Sequence, residues 1–371
     1  MNTLDKAKVL GDAGKYDVCG GEICKPPEFT GGLQNLPGII KAKTQNGHFC
    51  SMLKTLYTNA CRFDCKYCAN RAGSGCQKKI TQYNPPELAN LFMTLVNKRI
   101  VTGLFLSSGI AGDSDKTTQG MLDTVKIIRQ RFSFRGYIHF KVLPGTSYDL
   151  IKQASELSSR MSINVEATST TRLNELSSVK ELKSDILKRQ AWMKKMKMPS
   201  GQTTQMIVGV NDATDFEVMK MAKWEYENMN LRRVYYSAFS PVKNTPLENN
   251  NAEAQSRANR LYNTDWLFRI YKYDFRLIKQ ILVDGMLPDK DPKIMIAEKT
   301  ITEPVNINEA IYDELIKVPG IGPVTAQNIM SMRQEKKLDT KQLQQCGVIM
   351  KRAAPFIKVG DETQKKLVAF A

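Results

Sequence analysis

Between about residues 53 and 243, short apolar runs alternate with segments of helical period. Six runs rich in β-branched and aromatic residues predict buried strands; they read LKTLYTNA, TGLFLSSG, GYIHFKVLPG, RMSINVEAT, TTQMIVGV and RRVYYSAFSPV. Helix-length segments separate them, such as PPELANLFMTLVNKR, where Leu88, Phe92 and Leu95 share one face. This α/β alternation predicts a parallel sheet with right-handed crossovers. Six such units form either an open partial barrel or a doubly wound sheet, and periodicity alone does not separate these two.

The pattern changes on both sides of this region. Residues 1–50 are punctuated by Gly and Pro without a sustained period, which predicts a loop-rich lead-in. After the sixth strand, AEAQSRANRLYNTDWLFRIYKYDF predicts one long helix with Tyr262, Trp266 and Ile270 on one face. LPDKDPK then marks a boundary near residue 290. We therefore predict a lead-in at 1–50, a β/α domain with its flanking helix at 51–290, and a small all-α domain at 300–371.

The C-terminal segment predicts two helices joined by a tight turn. NINEAIYDELIKV predicts a helix capped by Asn308, with Ile311, Leu315 and Val318 on one stripe. PGIG follows as the turn, and Pro323 stands in the first turn of the second helix, VTAQNIMSMRQ. The pattern is typical of a helix-hairpin-helix motif, and a second, degraded copy is predicted in LQQCGVIMKRAAPFI.

Composition narrows the class of protein. The 371 residues carry a formal net charge of +17 and are 42% hydrophobic, which favours a folded chain with a polyanionic partner. No apolar run is long enough to span a membrane, and MNTLDKAKVL lacks a signal-peptide core, so we expect a soluble cytoplasmic protein without a membrane partner. Eight cysteines are too few for a secreted disulfide scaffold and favour metal or redox chemistry.

Three of these cysteines stand together in CRFDCKYC, directly after the first predicted strand. The C-x3-C-x2-C spacing of Cys61, Cys65 and Cys68 lets one loop place three sulfurs around a single metal centre. On an iron–sulfur cubane, three thiolates leave one iron without a protein ligand, whereas ordinary electron-transfer clusters use four. A zinc site completed by Cys50 or Cys76 is the alternative. The position at the carboxyl end of a strand favours a functional site, because such folds place their sites there.

LYTNACRFDCKYC resembles the cluster loop of the radical S-adenosylmethionine (SAM) superfamily, with Tyr67 in the aromatic position of its C-x3-C-x-aromatic-C signature. The resemblance implies a partial (β/α)6 barrel and a 4Fe–4S cluster held by Cys61, Cys65 and Cys68. In that superfamily, SAM chelates the open iron, and cluster-driven cleavage of SAM yields a 5′-deoxyadenosyl radical. An electron donor such as flavodoxin or ferredoxin is implied as a partner.

The resemblance extends to later strand ends, with departures. LFLSSG stands where the superfamily has a Gly-Gly-Glu-like turn and lacks the acidic residue, so contacts there would depend on backbone carbonyls. INVEAT offers polar groups for the ribose, and QMIVGVND matches the adenine-side pattern with its first Gly and its Glu replaced by Gln205 and Asp212. Besides Tyr67, the implied cofactor-binding residues are Ser107, Ser108, Gly109, Asn164, Glu166, Ile207 and Gly209.

Nearly the whole chain is similar to a family of radical SAM proteins assigned to DNA modification or repair, which carry a C-terminal helix-hairpin-helix. The similarity implies DNA as a partner, because backbone N–H groups at such a hairpin bind phosphates without reading bases. The implied DNA-binding residues are Lys317, Val318, Gly320, Ile321, Gly322, Val324 and Thr325. Further cations for backbone neutralisation are Arg333, Lys336, Lys337, Lys341, Lys351 and Arg352.

Several residues keep two interpretations. His139 and Lys141 share a strand face that points either at a ligand or at a satisfied interior. The basic stretch ILKRQAWMKKMKMPSGQ is either a nucleic-acid patch or a solvated helix face. Whether Cys19, Cys24, Cys50 and Cys76 build a second metal centre is not decided by their irregular spacing.

The leading hypothesis is a radical SAM enzyme that modifies, rearranges or repairs a nucleotide in DNA through a 5′-deoxyadenosyl radical. One alternative is a radical SAM enzyme that acts on RNA. An alternative of another class is a noncatalytic, zinc-containing DNA-binding protein.

Overall fold

The computed structural model describes residues 1–16, 32–43, 49–73 and 79–359. The chain divides into two compact units: residues 1–213 with 220–255, and residues 214–219 with 256–371. The predicted boundaries near 50 and 290 stay predictions. Among the described residues, no helix is both long and apolar enough to cross a membrane.

The first unit is built on one sheet whose strands lie in chain order, from β1 to β7. Only the β1–β2 pair is antiparallel, and each later pair is parallel. The strands are β1 Ile39–Lys43, β2 Phe49–Leu56, β3 Gly103–Ser107, β4 Tyr137–Lys141, β5 Arg160–Ser162, β6 Gln202–Val208 and β7 Leu231–Ala238. A doubly wound sheet reverses its strand order at a switch point. Here the strand order does not reverse, and the sheet curls into a half-barrel. The predicted partial barrel is therefore confirmed.

Helices follow most strands and cover the sheet. They are α1 Thr3–Ala13, α2 Pro85–Asn97, α3 Ser114–Lys126, α4 Tyr148–Leu157, α5 Thr170–Leu176, α6 Lys188–Lys194 and α7 Asp215–Met229. Capping sets their starts: the Asn84 side chain accepts from the Glu87 N–H while the Glu87 carboxylate accepts from the Asn84 N–H, and Pro85 occupies the first turn. All residues of β3 are buried, as expected for a parallel strand covered on both faces.

The lead-in contains regular structure that the sequence pattern did not predict. Helix α1 starts at an Asn2 cap, and β1 joins the sheet antiparallel to β2. A Cβ on Gly11 would lie 1.9 Å from the Pro37 carbonyl oxygen, and one on Gly38 would lie 2.1 Å from that of Lys54. These glycines therefore permit close packing of α1 against the sheet edge, although Gly in the sequence suggested only loops.

The second unit is helical. Its helices are α8 Gln255–Arg269, α9 Phe275–Gln280, α10 Pro292–Thr300, α11 Tyr312–Leu315, α12 Pro323–Met332, α13 Thr340–Gln345 and α14 Met350–Ala353. Two short parallel strands, β8 Val305–Asn306 and β9 Ile357–Lys358, pair with each other. Its interior holds a buried ion pair, since Asp215 accepts from Arg257 Nε at 2.8 Å and from the Leu287 N–H at 2.8 Å.

The long helix predicted after the sixth strand was wrong in its extent, and the face that carries Trp266 and Ile270 is not the buried one. Helix α8 ends at Arg269, and Lys272 adopts a positive φ of 61° before α9 begins. Trp266 is 47% exposed and Ile270 is 38% exposed, whereas Ala258 and Leu261 on another face are fully buried. Tyr273 anchors the break, because its hydroxyl donates to the Ile316 carbonyl at 2.9 Å. That tertiary contact outweighs local helix propensity.

The first hairpin helix is also shorter than predicted, and Asn308 is not its cap. Asn306 pairs in β8, and the Asn308 amide instead bridges the backbone N–H and carbonyl of Leu338. Helix α11 begins at Tyr312. The second helix was predicted correctly, with Pro323 in its first turn.

Glu225 on α7 is a buried carboxyl group in the first unit, and its effect on stability depends on pH. Its side chain is fully buried, and burial raises its pKa to about 8, with the nearby Gln190 amide lowering it only in part. An unfolded glutamic acid has a pKa near 4.5, so stability from this group is complete below that pH and falls as the pH rises toward 8. We expect Glu225→Gln to raise the melting temperature by at least about 4 °C at pH 7.5 and to change it little at pH 4.5.

Scanning calorimetry at the two pH values measures this difference. Glu227→Gln is the control, because Glu227 is exposed and pairs only at the surface with Lys223. An equal rise for Glu225→Gln at both pH values would contradict a buried neutral carboxyl group.

Candidate active site

The three-cysteine loop follows β2 and is fixed by backbone hydrogen bonds. The Arg62 N–H donates to the Ile110 carbonyl at 2.9 Å, which ties the loop to the end of β3, and the Ala72 N–H donates to the Phe63 carbonyl at 2.8 Å. Gly109 permits the close approach, since a Cβ there would lie 2.3 Å from the Ala60 carbonyl oxygen. The loop is therefore held rigidly at the carboxyl edge of the sheet.

A cavity of about 200 Å³ opens at this edge. The structure gathers most of the sequence-predicted metal and cofactor residues around it: Cys61, Cys65, Tyr67, Cys68, Ser107, Ser108, Gly109, Asn164, Glu166 and Ile207. Gly209 does not line it; a Cβ there would lie 2.6 Å from the Glu253 Cβ, so this glycine serves packing. The contacts of these residues with a cofactor stay predictions.

The chemistry of the donor set fits an iron–sulfur cluster. Thiols from one loop face a common cavity, and soft thiolates are the ligands that such clusters use. Burial raises the pKa of Cys61, and it raises that of Cys68 to about 12. Bound metal deprotonates its thiol ligands outright, so metal and protons compete at these sulfurs.

The position of Cys50 disfavours the alternative in which this residue is the fourth ligand of a zinc ion at the cysteine loop. Cys50 is the second residue of β2, whereas the loop follows the far end of this strand, about 20 Å away at ordinary strand rise. Its sulfur lies 3.1 Å from Thr102 Oγ1. Cys19, Cys24 and Cys76 lie outside the described residues. Within the described part of the chain, no three His, Cys, Asp or Glu side chains, the loop cysteines included, are arranged around a single metal ion. This also disfavours zinc at the loop, whereas on a cubane each of the three thiolates binds a different iron.

Lys180 also lines the cavity. The sequence analysis did not identify it as a site residue. Its side chain is 10% exposed, and its ammonium lies 3.3 Å from the Tyr67 hydroxyl and 3.8 Å from Glu166 Oε1. Glu166 has a positive φ of 62°, and its Oε2 has no hydrogen-bond partner among the described residues. A lone lysine in SSVKEL carries no motif, so only the fold shows that it reaches the cysteine loop.

Asp64 ties the cysteine loop to the segment that carries Lys180. Its Oδ1 accepts from Ser177 Oγ at 2.5 Å, and its Oδ2 accepts from the Ser178 N–H at 3.0 Å and from Ser178 Oγ at 2.6 Å. The Lys66 N–H donates to the Leu176 carbonyl at 2.8 Å. We call this set of contacts the Asp64 clamp. Burial alone raises the Asp64 pKa, but the serine hydrogen bonds outweigh burial and lower it to about 2.

We expect Asp64→Asn to loosen this clamp, because an amide cannot accept at both positions. Hydrogen bonds to a charged group contribute about 1.5–3 kcal/mol each. A loss of about 2 kcal/mol should speed amide exchange at Lys66 and Ser178 roughly 30-fold, since about 1.4 kcal/mol corresponds to tenfold. Hydrogen exchange with mass spectrometry on the metal-free protein measures this change. Asp149→Asn, on the exposed first turn of α4, should leave exchange in both segments unaltered.

Of the two polar residues on β4, one faces the cavity. Lys141 is buried and lines it. His139 does not line it, and its Nε2 lies 2.8 Å from Ser162 Oγ while its ring packs edge-on against Phe105. His139 is therefore a satisfied interior residue, whereas Lys141 lies on the cavity wall.

In the second unit, the predicted hairpin forms a tight turn between α11 and α12. Gly320 has a φ of +86°, and its carbonyl accepts from the Ile349 N–H at 3.1 Å. Val318 and Ile321 are buried and act in packing, whereas Val324 is 70% exposed. Contacts of this turn with nucleic acid stay a prediction. The proposed second copy also forms a helical turn, with Gly347 at φ +94° between α13 and α14.

The predicted cationic residues of this unit divide into two groups. Arg333 donates to the Ile307 and Ala310 carbonyls, and Arg352 pairs with Asp291, so both serve the fold. The exposed lysines are Lys336, Lys337, Lys341 and Lys351.

Lys293, which sequence reasoning did not single out, donates to the Ile321 carbonyl within the hairpin and lies 4.4 Å from the Tyr271 ring centroid. Burial lowers its pKa to about 7.

Comparison with known proteins agrees with this geometry. A model of the radical SAM superfamily matches residues 55–224, and a model of the helix-hairpin-helix motif matches residues 301–346. No curated protein sequence matches the chain.

Among solved structures, methylornithine synthase is similar at 12% identity and a TM-score of 0.47, covering 57% of this chain and 60% of that one. A maturase of the FeFe hydrogenase matches at 12% identity and a TM-score of 0.46, covering 57% and 48%. A cobalamin-dependent radical SAM enzyme matches at 11% identity and 0.34, covering 82% and 52%. The chain thus spans about half to three-fifths of these proteins, and likeness at this level identifies no substrate.

The superfamily match covers the cysteine loop, Lys180 and the ends of β2 to β6 around the cavity, while the end of β7, which also lines the cavity, lies beyond it. Enzymes of this superfamily use a 4Fe–4S cluster and SAM, which are the cofactors expected at these thiols. The chain therefore carries a radical SAM domain at residues 55–224, followed by a helix-hairpin-helix motif at residues 301–346.

Proposed function

We propose that this protein is a radical SAM enzyme that modifies, rearranges or repairs a nucleotide in DNA. The observation that supports the proposal most is the presence, in one chain, of a three-thiol cavity at the carboxyl edge of a half-barrel and of a helix-hairpin-helix motif. Neither feature alone points to DNA chemistry. The net charge of +17 agrees with a polyanionic partner.

In this proposal Cys61, Cys65 and Cys68 hold the cluster, and the strand-end residues bind SAM. When bound, the cluster and SAM together supply a 5′-deoxyadenosyl radical, which abstracts hydrogen from the substrate. The chain's own residues bind and orient both partners: Glu166 and Asn164 present polar atoms for the nucleoside part of SAM, and the apolar wall excludes water.

The substrate nucleotide must enter a cavity that lies at the strand ends. A base stacked in a duplex does not reach such a site, so the target is either flipped out or single-stranded. Lys141 and Gln205 line the cavity and offer N–H donors to a base or its phosphate.

The hairpin binds the phosphate backbone of the nucleic acid, so its binding does not depend on the base sequence. Gly320 permits the tight turn that presents backbone N–H groups to phosphate oxygens, and Lys317 and the exposed lysines neutralise charge. A low-potential donor such as flavodoxin or ferredoxin reduces the cluster. We place the enzyme in the cytoplasm, where free cysteines are kept reduced.

The test is anaerobic incubation of the reduced, reconstituted protein with SAM and DNA, followed by mass spectrometry of 5′-deoxyadenosine and of the digested nucleosides. The proposal expects DNA to increase 5′-deoxyadenosine formation and a nucleoside to change mass. Release that DNA neither stimulates nor alters would count against a DNA substrate.

Parallel reactions with single-stranded DNA, duplex DNA and RNA separate the alternatives. Stimulation by RNA alone would favour the RNA enzyme. A colourless protein that holds zinc and no iron after reconstitution would favour the noncatalytic DNA-binding protein.

A further inference from the structure

Lys180 is a buried cation at the cysteine loop for which the proposed chemistry has assigned no task. It lies between α5 and the turn that precedes α6, on the segment joined to the loop by the Asp64 clamp. Its ammonium lies 3.3 Å from the hydroxyl of Tyr67, which stands between Cys65 and Cys68 in the chain, and its side chain lines the same cavity as the three cysteines. Cys65 and Cys68 are therefore near enough to interact electrostatically with this cation.

The position of this charge is fixed from several sides. Asp64 immediately precedes Cys65 in the chain, and its carboxylate holds Ser177 and Ser178, three and two residues before Lys180. The Lys66 N–H to Leu176 carbonyl bond adds a second tie between the same two segments. A lysine normally moves freely on a four-carbon stem, and here both its backbone and its head group are held.

Glu166 is an anionic neighbour of the ammonium, since its Oε1 lies 3.8 Å away. This carboxylate offsets part of the lysine charge, so the field at the sulfurs depends on both residues. Tyr67 stays a neutral phenol, because burial and the neighbouring Glu166 raise its pKa well above the usual range. Lys141 is a second cation on the cavity wall. In a poorly solvated cavity, one fixed positive charge near the cluster ligands has a long reach.

We propose that Lys180 raises the reduction potential of the cluster bound by Cys61, Cys65 and Cys68, and that the Asp64 clamp holds it in position to do so. The inference rests on the cluster assignment in the proposed function. One-electron reduction adds one negative charge to the cluster, and the electron comes from a low-potential protein donor or from dithionite. Hydrogen bonds to the sulfurs and net charge nearby are known determinants of cluster potential.

The experiment compares Lys180→Met, Lys180→Arg and Lys183→Met after anaerobic reconstitution. Lys183 is exposed, does not line the cavity, and provides the same loss of charge. Each protein is titrated with dithionite in the absence of SAM, and the reduced cluster is quantified by electron paramagnetic resonance. Iron content is measured on the same samples.

Lys180→Met should lower the ratio of reduced to oxidised cluster about tenfold at the wild-type midpoint, a shift of about 59 mV for one electron. Lys180→Arg should stay within threefold of wild type, and Lys183→Met should equal it. Glu166→Gln should shift the ratio in the opposite direction, since it removes the neighbouring negative charge. Asp64→Asn should reproduce part of the Lys180→Met shift with the lysine still present.

A Lys180→Met protein with full iron content and an unchanged midpoint would overturn the inference and leave the proposed function standing. If Lys180→Met and Lys180→Arg both fail to hold iron, the residue serves assembly and the inference is also wrong. A wild-type protein that holds no iron would instead refute the cluster assignment itself.

Discussion

Replacing Cys65 with alanine should reduce iron from about four atoms per chain to near zero and abolish SAM cleavage. Cys65 is buried, lies between the other two proposed ligands in the chain, and lines the same cavity as Lys180. The remaining thiols, Cys61 and Cys68, cannot hold three corners of a cubane. Iron analysis, the visible spectrum and 5′-deoxyadenosine release measure the loss.

Two comparisons make this result specific. Cys346→Ala is the matched control, because Cys346 is a buried cysteine that packs against Met332 in the second unit, and its iron content should equal wild type. Cys50→Ala should also keep its iron, and iron loss there would indicate a second metal centre.

DNA affinity should stay largely intact in Cys65→Ala. If it fell together with the iron, the assignment of DNA binding to the hairpin alone would be wrong.

The second large effect is expected at Gly320. Alanine there would adopt a φ of +86°, and its Cβ would lie 2.6 Å from the Ile349 carbonyl oxygen. Left-handed backbone costs a non-glycine residue about 1–2 kcal/mol, and the contact adds to this. The turn must shift, so the backbone N–H groups that we propose bind phosphate lose their arrangement. We expect at least a tenfold weaker affinity for DNA, measured by fluorescence anisotropy at fixed salt.

Gly112→Ala is the matched control for this change. Gly112 also has a positive φ, at +75°, but a Cβ there meets nothing within 4 Å. It should bind DNA like wild type, and both variants should keep four irons. Wild-type DNA affinity in Gly320→Ala would contradict the role of the hairpin.

Sequence reasoning succeeded where the information is local. Apolar runs of strand length, Pro323 at the start of a helix and the spacing of Cys61, Cys65 and Cys68 each depend on neighbours within a few residues. The same reasoning failed where distant contacts decide. The predicted helix after the sixth strand stops at Arg269 because Tyr273 is held by the Ile316 carbonyl, 43 residues away in the chain. Helix α1 and strand β1 form where Gly11 and Gly38 allow close packing.

The sequence by itself determined the β/α order, the three-thiol loop and the hairpin, because strand and helix periods, ligand spacing and turn glycines are all written in short segments. Only the tertiary structure decided that the sheet curls in unbroken strand order and that Gly209 packs on Glu253 outside the cavity. It also decided that Lys180 lies beside the cysteine loop, in contact with Tyr67, through a clamp between residues 113 positions apart. Charges act through space, and no local pattern records which distant side chain a fold brings beside a sulfur.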